Sequence, residues 1–445
     1  MAKEQFTPFA LFVVMLVILG SFLFGYNLAV ISGALIFLVP TFSLTVMQQG
    51  FLVSIILMGA FAGAFFGGML ADRFGRKNTL IFTSLIFIVG AVSAATATSL
   101  EALVVGRVVT GIAVGIISLV APLYLSEISP PHYRGAVVSM HQLLVTVGIL
   151  SAYVVNYLFA IEGDWRWMFG LAAVPALIQF CGLFFIPETP EWLLAHDKNP
   201  KALLALGRLR KDHAWQNHLI EMKQSASTNK RVGWKAFFKP SILWLLFLGV
   251  MLNIFQQITG INTVIFYAPK IFLETNISSG TGAILATIGI GIINVIVTIF
   301  SVLYIDKKGR RWFLKIGLIG MAFSLAVLSL AFFTQIEIID EIAIVSLMTY
   351  VAAFAIGLGP VPVLLLSEIY PLQIRGRAMS IAMFANWLFS YFVSLTFLDL
   401  VKGIGVGGTF AVYGALCIIC LWFVWRFIPE TKGKSLEEIE KALTY

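Results

Sequence analysis

Between two long apolar stretches of the sequence lies the polar segment Asp72-Arg73-Phe74-Gly75-Arg76-Lys77. A similar segment follows at an offset of 234 residues, where Asp306-Lys307-Lys308-Gly309-Arg310-Arg311 again separates two apolar stretches. Each segment has an acidic residue at the end of one stretch, a glycine in the turn and two basic residues after it. This recurrence decides the fold, because a chain that repeats its polar turns at a fixed distance also repeats the elements between them.

Two further motifs recur at almost the same distance. The matched segments, at offsets of 241 and 242 residues, are Ser126-Glu127 with Arg134-Gly135 against Ser367-Glu368 with Arg375-Gly376, and Pro187-Glu188-Thr189 against Pro429-Glu430-Thr431. Three matched pairs predict two homologous halves. Internal repeats of this kind are typical of secondary transporters, whose binding sites lie between the halves near the middle of the bilayer.

The composition is that of an integral membrane protein. Of the 445 residues, 59% are hydrophobic and only 12% are charged, against about 25% charged residues in a soluble domain. A helix needs about 20 apolar residues to cross the hydrocarbon core. The sequence contains twelve such stretches, at residues 9–38, 48–71, 79–98, 102–125, 136–159, 166–187, 241–272, 280–304, 313–334, 343–367, 377–400 and 406–428. We therefore predict an all-α protein with twelve transmembrane helices. The first stretch is too long for the apolar region of a cleavable signal, so it is kept as a span.

The net charge of +8 comes from basic residues that occupy alternate loops. These loops contain Arg73, Arg76, Lys77, Arg134, ten Lys or Arg residues between 198 and 239, Lys307, Lys308, Arg310, Arg311, Arg375 and Arg377. The other loops contain mainly acidic residues, including Glu101, Asp164 and Asp340. Because Lys and Arg in short loops mark the cytoplasmic side, we expect both termini in the cytoplasm. The basic charge indicates orientation in a membrane, and no nucleic-acid partner is expected.

The chain divides into four segments. We predict an N-terminal six-helix bundle at 1–189, a cytoplasmic linker at 190–240, a C-terminal six-helix bundle at 241–430 and a cytoplasmic tail at 431–445. Within the linker, residues 201–209 have leucines at helical spacing and predict a short amphipathic helix. Gly59, Gly63 and Gly67 follow one another at intervals of four, as do Gly111 and Gly115. Small residues at that spacing favour close contact between helices in lipid.

The sequence argues against an enzyme. Gly433-Lys434-Ser435 resembles the end of a phosphate-binding loop, but the position that requires the earlier glycine is Ile428. No cluster of histidines, cysteines or carboxylates has the spacing of a metal or hydrolytic site. We expect no catalytic residue, no metal and no cofactor.

Several motifs together resemble the sugar porter family of the major facilitator superfamily. They are Gly68-Met69-Leu70-Ala71-Asp72-Arg73-Phe74-Gly75-Arg76-Lys77, Arg107-Val108-Val109-Thr110-Gly111, Pro122-Leu123-Tyr124-Leu125-Ser126-Glu127, Pro187-Glu188-Thr189-Pro190-Glu191-Trp192-Leu193, Gln256-Gln257-Ile258-Thr259-Gly260-Ile261-Asn262 and Pro429-Glu430-Thr431-Lys432-Gly433. The resemblance covers nearly the whole chain. It implies two pseudo-symmetric six-helix bundles that move a small neutral sugar across the plasma or inner membrane by alternating access. We expect a lipid-embedded protein that functions as a monomer.

The resemblance also implies which residues bind the sugar. Sugar hydroxyls both donate and accept hydrogen bonds, and side-chain amides do the same. The substrate-binding candidates are the amides Gln142, Gln256, Gln257, Asn262, Asn294 and Asn386, the stacking residue Trp387 and the apolar residue Phe24. Gln256 and Asn262 are six positions apart and do not share one face of a regular helix, so we predict that the seventh span is unwound near Gly260.

Coupling depends on one position in the first span. In proton-linked bacterial members of the family, Phe-Gly-Tyr precedes an aspartate that pairs with an arginine of the fourth span. Here Phe24-Gly25-Tyr26 precedes Asn27, as in the facilitative glucose transporters of animals. Because an asparagine does not titrate, we predict facilitated diffusion of a hexose, with Asn27 a neutral hydrogen-bond partner of Arg107. The alternative is proton–sugar symport, in a natural chain or in one whose aspartate was replaced; His141 is the other protonatable candidate.

The resemblance assigns the charged motifs to networks that latch the two halves at the cytoplasmic side. The residues are Asp72, Arg76, Glu127 and Arg134 in the first half and Asp306, Arg310, Glu368 and Arg375 in the second. One departure concerns Val363, where the family often has tryptophan; this removes an aromatic wall that Phe384 replaces only in part. Two other functions remain open, namely a sugar sensor without flux and a polyol or drug exporter.

Overall fold

The computed structural model describes residues 7–130, 133–210, 240–275, 277, 279–370 and 374–432. Within these ranges the chain forms helices and loops without a β-strand. We number the helices α1 Pro8–Ala29, α2 Ile31–Phe42, α3 Val46–Phe74, α4 Arg76–Ala95, α5 Leu100–Ile128, α6 Arg134–Ala160, α7 Trp165–Gly170, α8 Ala173–Leu183, α9 Pro190–Ala195, α10 Asn199–Leu209, α11 Pro240–Ile258, α12 Ile261–Leu273, α13 Gly280–Lys308, α14 Arg310–Thr334, α15 Ile339–Ile356, α16 Val361–Ile369 and α17 Arg375–Phe427. The all-α prediction is confirmed.

The helices correspond to the predicted spans, four of which are broken. The first, sixth, seventh and tenth spans each consist of two consecutive helices: α1 and α2, α7 and α8, α11 and α12, α15 and α16. The eleventh and twelfth spans form the single 53-residue helix α17, which bends at Gly405. Among the described residues, eleven helical stretches, with the short breaks included, are long and apolar enough to cross a membrane. Counting both arms of α17 gives the twelve spans predicted from the sequence.

The outer surface of the bundle is apolar. Large side chains such as Phe65, Phe185 and Trp425 are 60%, 69% and 62% exposed. Apolar patches of this extent are unusual on soluble proteins and mark contact surfaces. Around helices of 20 to 29 residues, such as α3, α4 and α5, this surface fits the hydrocarbon core of a bilayer.

Close helix contacts in the first half depend on the predicted glycines. A side chain at Gly63 would lie 2.1 Å from the backbone oxygen of Ile112, and one at Gly115 would lie 2.0 Å from the backbone oxygen of Ala60. Both distances are far below van der Waals contact, so only glycine lets α3 and α5 approach this closely. The glycine spacing in the sequence therefore indicated a real helix–helix contact.

The two halves meet along two helix pairs. Helix α3 of the first half packs against α17 of the second, and α6 packs against α13. Between α3 and α17, the rings of Phe61 and Phe384 have centroids 4.3 Å apart. Residues of both halves therefore lie side by side along this interface.

Helices α9 and α10 follow the first half and dock on one end of it. The indole N–H of Trp192 in α9 donates to the backbone oxygen of Asp72 over 2.8 Å, next to the repeated polar turn. The backbone N–H of Thr7 donates to the oxygen of Leu209 at the end of α10 over 3.2 Å. The predicted helix at 201–209 lies within α10. We call this end of the molecule, which carries Arg76 and Arg310, the basic face, and the other end the opposite face.

Candidate functional site

The seventh span is unwound at the position that the sequence predicts. Helix α11 ends at Ile258 and α12 begins at Ile261, and Gly260 between them has φ 93° and ψ 17°. This left-handed conformation favours glycine, and a side chain there would lie 2.5 Å from the ring of Tyr413. The hydroxyl of Tyr350 donates to the backbone oxygen of Thr259 over 2.8 Å. That hydrogen bond satisfies a carbonyl which the break removes from the helix.

The break brings four of the predicted amides into one hydrogen-bonded cluster. The Nδ2 of Asn386 donates to Oε1 of Gln256 over 2.6 Å. Its Oδ1 accepts from Nε2 of Gln257 over 3.1 Å. The Oε1 of Gln257 in turn accepts from Nδ2 of Asn262 over 2.8 Å. We call Gln256, Gln257, Asn262 and Asn386, with the two residues described next, the amide cluster.

Two members of the amide cluster were missed in the sequence. Asn253 is fully buried, and its Oδ1 accepts from Nδ2 of Asn386 over 3.2 Å. The Oγ of Ser390 accepts from Nδ2 of Asn262 over 2.6 Å. The signal was present, because Asn253 lies four positions before Gln257 and Ser390 four positions after Asn386, and residues at that spacing share one helix face.

The amide cluster suits a neutral ligand with many hydroxyl groups. Five of its side chains are amides and the sixth is a hydroxyl. All of these groups donate and accept hydrogen bonds without carrying charge. Gln256 and Asn262 are only partly buried, so both retain solvent-accessible atoms that could contact a ligand. Gln257 and Asn386 are 7% and 6% exposed and support them from behind.

An aromatic pair crosses from one half to the other beside the amide cluster. Trp387 in α17 is 5% exposed. Its ring centroid is 5.9 Å from that of Phe24 in α1, with an angle of 46° between the planes. Phe24 also contacts His141, with centroids 6.3 Å apart. The predicted stacking residue and the predicted apolar residue are therefore neighbours across the two halves, and we call this pair the Trp387–Phe24 wall.

The remaining two predicted amides lie on the helix pair that joins the halves. Gln142 is half-buried on α6, and Asn294 is 7% exposed on α13. Within the described residues, no hydrogen bond connects either side chain to the amide cluster. The structure thus brings four of the six predicted amides into direct contact and leaves two on neighbouring helices. Val363, which occupies the position where the family often has tryptophan, is 45% exposed.

The predicted coupling pair is in contact, but through the backbone. Arg107 is 1% exposed, and its Nη1 donates to the backbone oxygen of Asn27 over 2.8 Å. The side-chain amide of Asn27 instead donates to the backbone oxygen of Leu23 over 2.8 Å. The expected side-chain hydrogen bond between Asn27 and Arg107 is therefore replaced by one to the main chain. In the described part of the chain, Nε and Nη2 of Arg107 have no hydrogen-bond partner.

A charged network occupies the basic face of the first half. The Nε of Arg76 donates to Oε1 of buried Glu127 over 3.0 Å, and its Nη1 lies 3.2 Å from Oδ1 of Asp72. The carboxylate of Glu188 accepts from the backbone N–H groups of Arg76 and Lys77 over 3.0 and 3.1 Å. Glu188 therefore caps the first turn of α4, where a negative charge is favourable.

The second half repeats this network. The guanidinium of Arg310 lies 2.7 Å from Oε1 of Glu368. The carboxylate of Glu430 accepts from the backbone N–H groups of Arg310 and Arg311 over 3.0 and 3.1 Å. Glu430 caps α14 as Glu188 caps α4. The recurrence seen in the sequence is therefore a recurrence of hydrogen bonds.

These ion pairs connect residues of the same half. Arg76 pairs with Asp72 and Glu127, and Arg310 pairs with Glu368. In this conformation these ion pairs do not connect the two halves, so they do not form the predicted latches. The side chains of Arg134, Asp306 and Arg375, which belong to the predicted network, lie outside the described part of the structure.

At the opposite face, hydrogen bonds connect the two halves. The Nζ of Lys270 in α12 donates to Oε1 of Gln49 in α3 over 2.6 Å. The hydroxyl of Tyr153 in α6 donates to the backbone oxygen of Ile265 over 3.0 Å. The halves are thus held together on the opposite face by polar contacts that the sequence did not indicate.

The chain is similar to known sugar transporters along nearly its whole length. The family model described as "Sugar (and other) transporter" matches residues 13–443. The glucose transporter GlcP of Staphylococcus epidermidis is 39% identical over 426 residues, which cover 96% of this chain and 95% of the relative. The galactose-proton symporter of Escherichia coli is 37% identical over 436 residues, covering 97% of this chain and 94% of the relative.

A solved structure agrees over the same length. The xylose transporter XylE from E. coli, in a partially occluded inward open conformation, superimposes with a TM-score of 0.85 at 34% sequence identity. The match covers 96% of this chain and 100% of that structure. The chain belongs to the sugar porter family of the major facilitator superfamily and is a multi-pass sugar transporter of the membrane, not an enzyme.

Proposed function

We propose that this transporter moves a hexose, with glucose as the preferred substrate. The observation that carries the proposal is the amide cluster, an uncharged set of donors and acceptors next to the Trp387–Phe24 wall. Hydroxyl groups of a sugar ring match both the amides and, through the ring's apolar face, the aromatic wall. Gln142 and Asn294 complete the site from the α6–α13 pair when the sugar is bound.

Transport proceeds by alternating access between the two halves. In this conformation, polar contacts such as Lys270–Gln49 hold the halves together at the opposite face, whereas the ion pairs described at the basic face lie within each half. The contact at the opposite face opens when the halves rock, and the networks of Asp72, Glu127, Arg310 and Glu368 then bias closure at the basic face. A binding site between the halves is in this way exposed to one side at a time.

The transporter works as a uniporter in this proposal. Arg107 bonds the main chain of Asn27, and the amide at that position has no proton to exchange near neutral pH. The rival mechanism is proton–sugar symport, which the name of the E. coli galactose-proton symporter favours for this family. The proposal places the protein in the plasma or inner membrane as a monomer, with the basic face and both termini in the cytoplasm, as the basic loops indicate.

Uptake into proteoliposomes tests both parts of the proposal. Purified protein is reconstituted, and entry of labelled glucose is followed with and without a protonophore, with protein-free liposomes as the control. We expect glucose to equilibrate without accumulating and the protonophore to leave the initial rate unchanged. Accumulation above the external concentration that the protonophore abolishes contradicts uniport and establishes symport.

Competition identifies the substrate class. Unlabelled hexoses, pentoses and polyols are added in excess to the same glucose uptake assay. We expect glucose to compete best, other hexoses less well and polyols least. Stronger competition by a pentose or a polyol overturns the glucose assignment, and binding without any flux of label indicates a sensor.

A further inference from the structure

Asn253 is buried next to the amides that we assign to sugar binding, and its side chain is hydrogen-bonded to other residues of the protein. It is 0% exposed on α11, and its Nδ2 donates to the backbone oxygen of Gly249, one turn earlier, over 2.9 Å. Its Oδ1 and its backbone oxygen lie 3.2 and 3.3 Å from Nδ2 of Asn386. Asn253 therefore connects the main chain of α11 to the residue at the centre of the amide cluster.

The Gly249 carbonyl fixes which way round the Asn253 amide sits. A carbonyl oxygen accepts hydrogen bonds and cannot donate, so it must face the Nδ2 of Asn253. The Oδ1 of Asn253 then faces Asn386 as an acceptor, so Asn386 must donate to it from Nδ2. With Asn386 turned in this sense, its Oδ1 faces Gln257, whose Nε2 donates to it over 3.1 Å. The main-chain oxygen of Gly249, acting through the Asn253 side chain, and that of Asn253, which accepts directly from Asn386, thus favour the same direction in this chain of amides.

A second anchor exists, but it is open to the ligand. The Nε2 of Gln256 donates to the backbone oxygen of Leu358 over 2.5 Å, and its Oε1 accepts from Asn386. Gln256 is only partly buried, so a bound sugar competes for its hydrogen bonds. Asn253 is wholly buried and its anchor belongs to its own helix. When the sugar draws on Gln256, Asn253 is the group that keeps Asn386 in place.

We propose that Asn253 is a positioning residue that fixes the orientation of Asn386 and thereby decides which donors and acceptors the amide cluster offers to the sugar. The inference rests on the proposed sugar transport and adds a determinant of selectivity to it. With Asn386 held, Gln257 is held behind the accessible amides, and Asn262, whose Nδ2 is already bonded to Gln257 and Ser390, presents its Oδ1. If the Asn386 side chain could rotate freely, the positions of donors and acceptors in the cluster would no longer be fixed. Selectivity between sugars that differ in the arrangement of their hydroxyl groups would then be weaker.

Two substitutions separate this role from simple packing. Asn253→Leu keeps most of the volume and removes both hydrogen bonds, with Asn253→Ala as the substitute if the leucine variant does not fold. Asn253→Ser retains the pattern, because a helical serine donates to the carbonyl four residues earlier and still accepts. Gln179→Leu is the matched control, since Gln179 is another fully buried amide, hydrogen-bonded to Leu16 and Ser84 in the first half.

The experiment measures KM, kcat and competition by epimeric hexoses in proteoliposomes for each variant. We expect Asn253→Leu to raise KM for glucose roughly tenfold, the effect of about one lost hydrogen bond, with kcat changed far less. It should also reduce the differences in how strongly epimeric hexoses compete with glucose. Asn253→Ser and Gln179→Leu should keep the wild-type order of competition.

The outcomes separate the two proposals. If the wild-type protein neither transports nor binds a sugar, the proposed function is wrong, and this inference is wrong with it. If the wild type transports sugar and folded Asn253→Leu (or Asn253→Ala) keeps the wild-type KM and epimer order, the positioning role alone is overturned. An equal loss of selectivity in Gln179→Leu also overturns it, because the effect would then belong to any buried amide.

Discussion

At the scale of single residues, Arg107 is the extreme case of a buried polar group. Its guanidinium is 1% exposed, donates among the described residues one hydrogen bond, to the main chain of Asn27, and lies 5.7 Å from the Phe169 ring centroid. An ionisable group inside a membrane span is costly to place there and is by default a functional residue. We expect the residue at position 27 to determine whether Arg107 takes part in proton coupling.

Asn27→Asp tests that relation. An aspartate would place a titratable carboxyl beside Arg107, two of whose N–H groups have no partner among the described residues. We expect the variant to accumulate sugar in response to an inward proton gradient, up to about tenfold per pH unit for tight one-to-one coupling. Labelled glucose uptake under an imposed pH gradient measures the effect.

Asn27→Ser serves as the control for this substitution, because it changes the same position without adding a titratable group. It should remain insensitive to the gradient, like the wild type. If Asn27→Asp is also insensitive while still transporting sugar, position 27 does not determine coupling in this chain.

At the scale of elements, the repeated motifs act as helix caps. Glu188 and Glu430 come from the ends of the sixth and twelfth spans and bind the first N–H groups of α4 and α14. Burial raises the pKa of Glu188, while the backbone N–H groups of Thr189, Lys77 and Arg76 and the charge of Arg76 act in the opposite direction. Each cap therefore connects two spans of a half at the basic face, the third with the sixth and the ninth with the twelfth. This explains why the two motifs recur together.

The glycines that start these helices should be irreplaceable. Gly75 and Gly309 have φ values of 94° and 93°, and added side chains would lie 2.1 and 2.6 Å from the capping carboxylates of Glu188 and Glu430. We expect Gly75→Ala and Gly309→Ala each to lower the free energy of unfolding by about 1–3 kcal/mol for the strained backbone, with a further loss of roughly 1 kcal/mol from the disturbed cap. Thermal unfolding in detergent measures the change.

The chain supplies a matched control in each half. Gly135 and Gly376 are equivalent positions in α6 and α17 where an added side chain meets nothing within 4 Å. Gly135→Ala and Gly376→Ala should therefore be neutral or slightly stabilising, since alanine is favoured over glycine in a helix. Equal destabilisation at all four positions would show that the caps are not the reason for the glycines.

At the scale of the whole molecule, the sequence predicts what recurs and what is periodic. Two halves, twelve spans and the break at Gly260 follow from offsets, apolar length and the positions of Gln256 and Asn262, and the structure contains them all. Contacts between distant segments do not follow. The link from Arg107 to a backbone oxygen, the restriction of the ion pairs to one half and the place of Asn253 each depend on how helices are rotated against one another. Spacing along the chain does not encode that rotation.

Among the described residues, hydrogen bonds such as Lys270–Gln49 and Tyr153–Ile265 join the halves at the opposite face. Alternating access would require these contacts to open and close. Lys270 donates to Gln49, which is 5% exposed and itself donates to the backbone oxygen of Leu44. A hydrogen bond from a charged group in such surroundings is stronger than one between neutral groups. Because it connects α12 to α3, it stabilises only the conformations in which the opposite face is closed.

Lys270→Met should therefore shift the equilibrium toward opening at the opposite face. Loss of about 1–2 kcal/mol corresponds to a roughly fivefold to thirtyfold change in the ratio of open to closed molecules. Spin labels at Thr41 and Leu273, on α2 and α12 at that face, would report the change as a longer distance, in a background with Cys181, Cys417 and Cys420 replaced. Lys402→Met is the control, because Lys402 is an exposed lysine three residues before the bend of α17 at Gly405. If both variants keep the wild-type distance distribution, Lys270 does not hold the halves together, and closure depends on apolar contacts and on hydrogen bonds such as Tyr153–Ile265.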